Sequence, residues 1–196
     1  MSTLSAHAHE DPVQLAMQLE SAIALRLGAS VRVAVAANGP DALAGALRAA
    51  GRAPAPPPAW PCPYASLTHS GDVAIAVALP AHVAASGLGV DLELDRTVKD
   101  GMARLICDAH ERAWLAGLPA DRRGSQVLRL WTAKEALYKA DPAQGDAIIA
   151  EYALASPGDE VTTGGRGPAA QPATVVSLRV ANAFVSVALR PPGGAS

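Results

Sequence analysis

The sequence predicts an α+β fold built as two similar α/β halves, residues 1–85 and 86–196. Two observations predict it. Segments with helical spacing alternate with short period-two segments before residue 85, and the same order of helix and strands returns after it. The 196 residues are 50% hydrophobic, enough to bury one substantial core or two small ones. No internal repeat is visible in residue identity, so the halves are alike in order of elements only.

Residues 1–10 are polar, and His7 and His9 fall at what reads as a frayed terminus. Asp11-Pro12 is a helix start, an N-cap residue followed by proline at the first helical position. Val13, Ala16, Met17, Leu19, Ala22, Ile23 and Leu27 then make an apolar face, and Gly28 ends the helix. Residues 31–36 alternate as a short strand. Asn38-Gly39-Pro40-Asp41 is a turn, with Asp41 placed to cap a helix through Ala50 that Gly51 closes. Residues 51–63 hold Pro54, Pro56, Pro57, Pro58, Pro61 and Pro63. Each fixes φ, which makes this a constrained loop and not a flexible linker.

Residues 64–72 lead into Val73-Ala74-Ile75-Ala76-Val77-Ala78-Leu79, the pattern of a buried strand. After a connection over 80–87, residues 88–94 form a second strand, and 72–79 and 88–94 are expected to pair antiparallel. Helical spacing returns over 98–106. Asp108 caps a helix over 110–116 that stops at Gly117 and Pro119, and Asp121 starts a long helix through Ala140. Residues 147–155, 173–180 and 183–189 read as strands, with Ala181-Asn182 as a tight hairpin. The Gly/Pro-rich stretch 156–172 is expected to be mobile.

Composition excludes some roles. A net charge of −2 indicates neither a polyanion-binding protein nor a disordered acidic one, so no nucleic-acid partner is expected. The N-terminus carries His and acids where a signal peptide has a basic and then an apolar segment. No apolar run approaches the roughly 18 residues needed to span a bilayer. A soluble cytoplasmic protein without a membrane partner is expected. Cys62 and Cys107 fit neither a CxxC nor a metal-ligand spacing. One disulfide stays open from sequence, and two reduced thiols are the expectation without a secretory signal. Aromatics are scarce and Ala abundant, so the core rests on Ala, Val and Leu, with little margin against cavities.

Two stretches carry chemistry. Leu88-Gly89-Val90-Asp91-Leu92-Glu93-Leu94-Asp95 alternates strictly. As a strand it puts Val90, Leu92 and Leu94 on one face and Asp91, Glu93 and Asp95 on the other. Carboxylates this close resist ionising unless a cation neutralises them, and an oxygen-only cluster suits a hard ion such as Mg²⁺. A solvated acidic strand face would look the same. In Leu130-Trp131-Thr132-Ala133-Lys134-Glu135-Ala136-Leu137-Tyr138-Lys139-Ala140, strong helix formers run without Gly or Pro. Trp131, Glu135 and Lys139 fall at i, i+4 and i+8 along one stripe, with Lys134 about 100° to the side. Alone, that stripe is equally a surface Glu–Lys pair contributing about 0.2–0.5 kcal/mol beside a core Trp.

Together and in this order, Gly-Val-Asp-Leu-Glu at 89–93 and Trp-Thr-Ala-Lys-Glu-Ala-Leu-Tyr-Lys-Ala at 131–140 resemble the signature of the 4′-phosphopantetheinyl transferases. That family pairs a Gly-hydrophobic-Asp-x-Glu strand with a Trp/Phe-x-x-Lys-Glu-x-x-x-Lys helix. Ser66-Leu67-Thr68-His69-Ser70 resembles the family's Ser-hydrophobic-Ser/Thr-His-Ser/Cys segment, and Gly51-Arg52-Ala53-Pro54 faintly resembles its Gly-Lys-Pro segment. The resemblance runs from Arg52 to Ala140 and fades on both sides. After Lys139 the family's Gly-rich turn is replaced by Asp141-Pro142-Ala143-Gln144-Gly145-Asp146, where Gly145 can serve the same turn.

The resemblance implies the larger, monomeric type of the family, with pseudo-twofold halves and one coenzyme site between them. It implies transfer of 4′-phosphopantetheine from coenzyme A to a serine of an apo acyl or peptidyl carrier protein, Mg²⁺-dependent, with release of adenosine 3′,5′-bisphosphate. On that reading Asp91, Glu93 and Glu135 hold the metal, and Glu135 is also the candidate base. Lys134 and Lys139 contact the phosphates, with Lys139 stabilising the leaving group. Thr68 and His69 grip the diphosphate. Arg52 meets the 3′-phosphate or is a solvated loop arginine. Asp95 receives no role. Arg104, Arg112, Arg122, Arg123 and Arg129 give a basic lean that either steers an acidic carrier protein or is ordinary solvated helix charge. Two rival readings use the same carboxylates: a Mg²⁺-dependent pyrophosphate hydrolase of a nucleotide, and a catalytically silent coenzyme-binding protein.

Overall fold

The structure, a computed structural model, describes residues 11–56, 58–99, 101–167 and 172–193. His7 and His9 lie outside them. Helix α1 spans Pro12–Leu27, with the Asp11 side chain accepting from Val13 N and Gly28 left-handed at φ 64°. Its buried residues are Leu19 and Ile23; Val13 and Met17, expected on the apolar face, stand exposed. Strand β1 (Arg32–Ala36) leads to α2 (Gly39–Ala49). Asn38, not Asp41, caps α2: its Oδ1 accepts from Asp41 N at 2.9 Å. Pro40, with its fixed φ, already belongs to the first turn, so the cap moves one residue before Gly39.

The first sheet is completed by β2 (Ala65–Ser70) and β3 (Val73–Ala78), in the order β1-β3-β2, all antiparallel. The second holds β4 (Gly87–Leu94), β5 (Tyr152–Leu154), β6 (Val161–Arg166), β7 (Ala173–Val180) and β8 (Ala183–Arg190), in the order β4-β8-β7-β6-β5. The expected pairing of 72–79 with 88–94 does not form. β1 and β2 already occupy both edges of β3, and β4 joins β8 instead.

Three α-helices lie between β4 and β5. α3 covers only Met102–Ile106 of the expected 98–106, because Gly101 at φ 87° breaks the backbone there. α4 is Ala109–Ala116, capped by Asp108, and α5 is Ala120–Lys139. The expected strand over 147–155 is a 3₁₀ turn, Ile149–Glu151, followed by the short β5. Part of the stretch expected to be mobile, 156–172, is β6, paired to both β5 and β7. Its Gly164 is there for close packing: a Cβ would lie 2.7 Å from Leu137 Cδ1 and 2.8 Å from Ala153 O.

Alternation within the strands sets the layers. Ile75 and Val77 of β3 face an inner core with Leu19, Ile23, Val90, Leu92, Val176 and Val187. Ala74, Ala76 and Ala78 face the other way, beneath Ala42, Leu43, Ala46 and Leu47 of α2. α5 covers the outer face of the second sheet, packing Leu130, Ala133 and Leu137 over Ala173, Val175 and Ala188. Beneath it runs a chain of buried hydroxyls. Ser177 Oγ and Ser186 Oγ are 2.9 Å apart, Ser186 Oγ donates to Thr132 Oγ1 at 3.0 Å, and Thr132 Oγ1 donates to Arg129 O at 2.8 Å. Cys62 and Cys107 are free, buried and in different core clusters. Among the described residues no helix is long and apolar enough to cross a membrane.

Candidate active site

Two glycines let α5 lie almost directly on β4. A Cβ at Gly87 would come 2.8 Å from the carbonyl carbon of Ala140, and one at Gly89 would come 2.9 Å from both Ala136 C and Ala140 N. In each case the carbonyl oxygen itself would be overlapped outright. On the helix side the same contact needs Ala136 and Ala140, both fully buried. A glycine inside a strand is weak on propensity grounds and marks such a close approach.

That approach places the next alternating residue of β4, Asp91, against the last turn of α5. Lys139 Nζ donates to Asp91 Oδ1 at 2.8 Å and to Val90 O at 3.1 Å. From the first sheet Thr68 Oγ1 donates to the same Oδ1 at 3.0 Å, and Val90 N donates to Ser66 Oγ at 2.9 Å. Asp91 therefore sits at the seam of the two sheets, 6% exposed. Burial raises its carboxyl above the ordinary value; Lys139 and Thr68 oppose the rise and Glu93 adds to it.

Glu135 lies one helical turn before Lys139, half-buried. Burial pushes its carboxyl up, Asp91 pushes further, Lys139 pulls it back and Glu93 adds a smaller push. The three acids thus share one electrostatic neighbourhood. Glu93 also accepts from Arg96 Nε at 3.3 Å. Asp95 leaves the group, ion-paired to Arg179 at the end of the sheet.

Three neighbouring carboxylates fit a hard divalent cation in chemistry and in charge. As arranged, Asp91 is neutralised by Lys139, and among the described residues no three His, Cys, Asp or Glu side chains are gathered to hold an ion. Beside the acids opens a cleft of about 360 Å³, bounded by Trp60 and Pro61 of the proline loop, Ser66 and Leu67 of β2, and Tyr138, Lys139 and Gln144.

The other expected residues are placed differently. Lys134 is a correction: it does not reach the cleft. It is 0% exposed, 2.6 Å from Glu111 Oε2, and donates to Ile106 O at 2.6 Å. The 100° offset from Glu135 turns it inward, where Glu111 waits. Glu111 is also fully buried and accepts from Asp108 N at 2.9 Å and Leu154 N at 3.2 Å. His69 alternates with Thr68 on β2 and is exposed. Arg52 stacks 4.2 Å from the Tyr64 ring centroid and donates from Nε to Leu79 O at 2.6 Å and from Nη2 to Pro80 O at 3.4 Å. Of the basic helix residues, Arg129 is also corrected. It is buried, bonded to Pro157 O and to Asp159 O, and cannot present its charge to a partner.

Sequence reasoning missed Ser66 and Glu111 as tie points, Gly87 and Gly89 as the seat of the helix, and Gln144 on the cleft wall. The glycines inside an alternating strand, and the Asp108-x-x-Glu111 capping box, were the available signals.

Residues 87–155 match the model of the 4′-phosphopantetheinyl transferase superfamily. The match begins at the first residue of β4, ends just after β5, and contains Asp91, Glu93, Glu135 and Lys139. It supports phosphopantetheinyl transfer as the general chemistry. No curated protein matches the chain.

Proposed function

We propose that this protein transfers the 4′-phosphopantetheine moiety of coenzyme A to a serine of an apo acyl or peptidyl carrier protein, with Mg²⁺ as its metal. One observation carries the reading: within the matched segment Lys139 is paired to Asp91 at 2.8 Å, stands one turn after Glu135 and lines a cleft.

A serine hydroxyl is a weak nucleophile at neutral pH, so a base must take its proton. Glu135 is that base, a carboxylate on α5 one turn before Lys139. The serine oxygen bonds to the β-phosphorus of coenzyme A as the bond from that phosphorus to the bridging oxygen breaks. The bridging oxygen departs with adenosine 3′,5′-bisphosphate. Lys139, now on Asp91, supplies positive charge as the leaving oxygen becomes anionic. Asp91, Glu93 and Glu135 would hold Mg²⁺, which would neutralise charge on the pyrophosphate. Thr68 and His69 contact the diphosphate from β2, and Arg52 addresses the 3′-phosphate. The two sheets, each with one helix over its outer face, are the halves 1–85 and 86–196 of a cytoplasmic, monomeric enzyme of the larger type.

The test is mass spectrometry of apo carrier proteins from fatty-acid, polyketide and peptide synthesis, incubated with enzyme, Mg²⁺ and coenzyme A. A gain of about 340 Da on a carrier protein is expected, the mass of the transferred moiety implied by the motif. No gain on any of the three, with coenzyme A consumed nonetheless, would replace transfer by pyrophosphate hydrolysis.

A further inference from the structure

We infer that Gln144 is a specificity-determining residue of the cleft: its side-chain oxygen accepts a hydrogen bond from an N–H or O–H on the organic part of the ligand whose phosphate Lys139 holds. The inference rests on the transfer reading and names a contact within that same site. Gln144 lines the cleft together with Lys139, Tyr138 and Trp60. Its Oε1 is buried and has no hydrogen-bond partner among the described residues. Native proteins leave few such atoms, and each needs an explanation.

The turn that carries it is fixed. Gln144 N donates to Asp141 O at 3.1 Å, and Gln144 O accepts from Ala147 N at 2.7 Å and Arg166 Nη1 at 3.3 Å. Asp141 is held in its turn by Tyr152 Oη at 2.8 Å and Ala143 N at 3.0 Å. The backbone is therefore anchored independently of the side chain, and the residue that lines the cleft with Lys139 and two aromatic rings carries a carboxamide free to turn its unsatisfied acceptor toward a ligand. An anion for the lysine, a flat or aliphatic body for the rings and a donor for the carboxamide define the ligand. Coenzyme A carries such donors on both sides of its diphosphate: the exocyclic amine of the base, and the amides and hydroxyl of the arm.

The experiment compares wild type with Gln144→Met, similar in size but without the acceptor. The KM for coenzyme A should rise about tenfold with kcat within about twofold, the loss of one buried hydrogen bond. The melting temperature should stay the same or rise, since an unsatisfied polar atom has been removed. Calorimetric titrations, which need no turnover, locate the donor. Adenosine 3′,5′-bisphosphate weakened about tenfold assigns it to the base, and 4′-phosphopantetheine weakened instead assigns it to the arm. Unchanged binding of coenzyme A and of both fragments overturns the inference, as does a fall in melting temperature with kcat and KM worsening together. If wild type modifies no carrier protein yet coenzyme A binding depends on Gln144, the transfer reading fails and the contact stands.

Discussion

Gly89→Ala tests the geometry on which the site depends. The new Cβ would overlap Ala136 O and lie 2.9 Å from Ala136 C and Ala140 N, where no real Cβ is found. A carbon and a carbonyl oxygen need roughly 3.3 Å. The obstacle is helix backbone, which no rotamer change can remove. The strand cannot retreat, because β4 is paired to β8 along its length, with Gly89 opposite Ala188. The helix must therefore lift by on the order of 1 Å, opening the packing of Ala133 and Leu137 beneath it. Overpacking of this kind costs about 1–3 kcal/mol, occasionally more. A displacement of about 1 Å at reacting groups costs on the order of 100-fold in rate. Urea unfolding and carrier-protein mass spectrometry measure the two effects. The lysine stem can flex to keep Asp91, but Glu135 is shorter and moves with the helix, so the rate should suffer more than coenzyme binding. A variant with wild-type midpoint and wild-type rate would refute the close-approach argument.

Asp91→Ala should reduce transfer by at least about 100-fold while the far-UV circular dichroism stays native, and Lys139→Ala should raise the KM for coenzyme A about tenfold; unchanged kinetics would reduce the pair to a structural tie. Lys134→Ala leaves Glu111 charged and fully buried without its cation, at a cost of about 3–5 kcal/mol in urea unfolding. A loss below about 1 kcal/mol would contradict the buried-pair account. Glu135→Gln should stabilise the metal-free protein as it abolishes transfer. The folded-state carboxyl is raised above 4.5, so its contribution to stability is complete below that value and is lost as pH rises through the raised one. The variant's advantage should therefore be small near pH 4 and larger near about pH 8; an advantage that shrinks with rising pH would reverse the assigned sign. Millimolar Mg²⁺ should raise the melting temperature of wild type more than that of Glu135→Gln, and equal shifts would remove Glu135 from the metal's neighbours.

Local signals were legible in the sequence and distant ones were not. α1 could be delimited because Asp11-Pro12 and Gly28 act through backbone geometry at the helix ends. The two periodicities, one along β4 and one along α5, set which side chains share a face of each element; only the resemblance of the pair to a family signature joined Asp91 and Glu93 to Glu135. Strand pairing was misjudged because sequence neighbours need not be sheet neighbours: β3 has its edges filled by β1 and β2, and nothing within 80–87 announces the change of sheet. Gly164 and Gly165 read as loop residues, since a glycine chosen for close packing cannot be told from one chosen for freedom until its neighbour is known. Lys134 looked available for phosphate because its partner, Glu111, comes from another helix 23 positions earlier by the sequence numbering. A lysine on a motif helix is read by its own position; its ammonium answers to whatever lies across the core.

The hydroxyls beneath α5 act as a key for the helix's azimuth. Valines at Thr132, Ser177 and Ser186 would pack comparably, but a smooth apolar bed would tolerate a slip of one turn, about 5.4 Å, with little loss. Three hydroxyls that must donate and accept in sequence allow one seating, and Ser186 is the residue paired across β8 with Asp91. The row that holds Asp91 is thus the row that indexes the helix, so the carboxylates of strand and helix are brought into phase by a tooth cut in the interior.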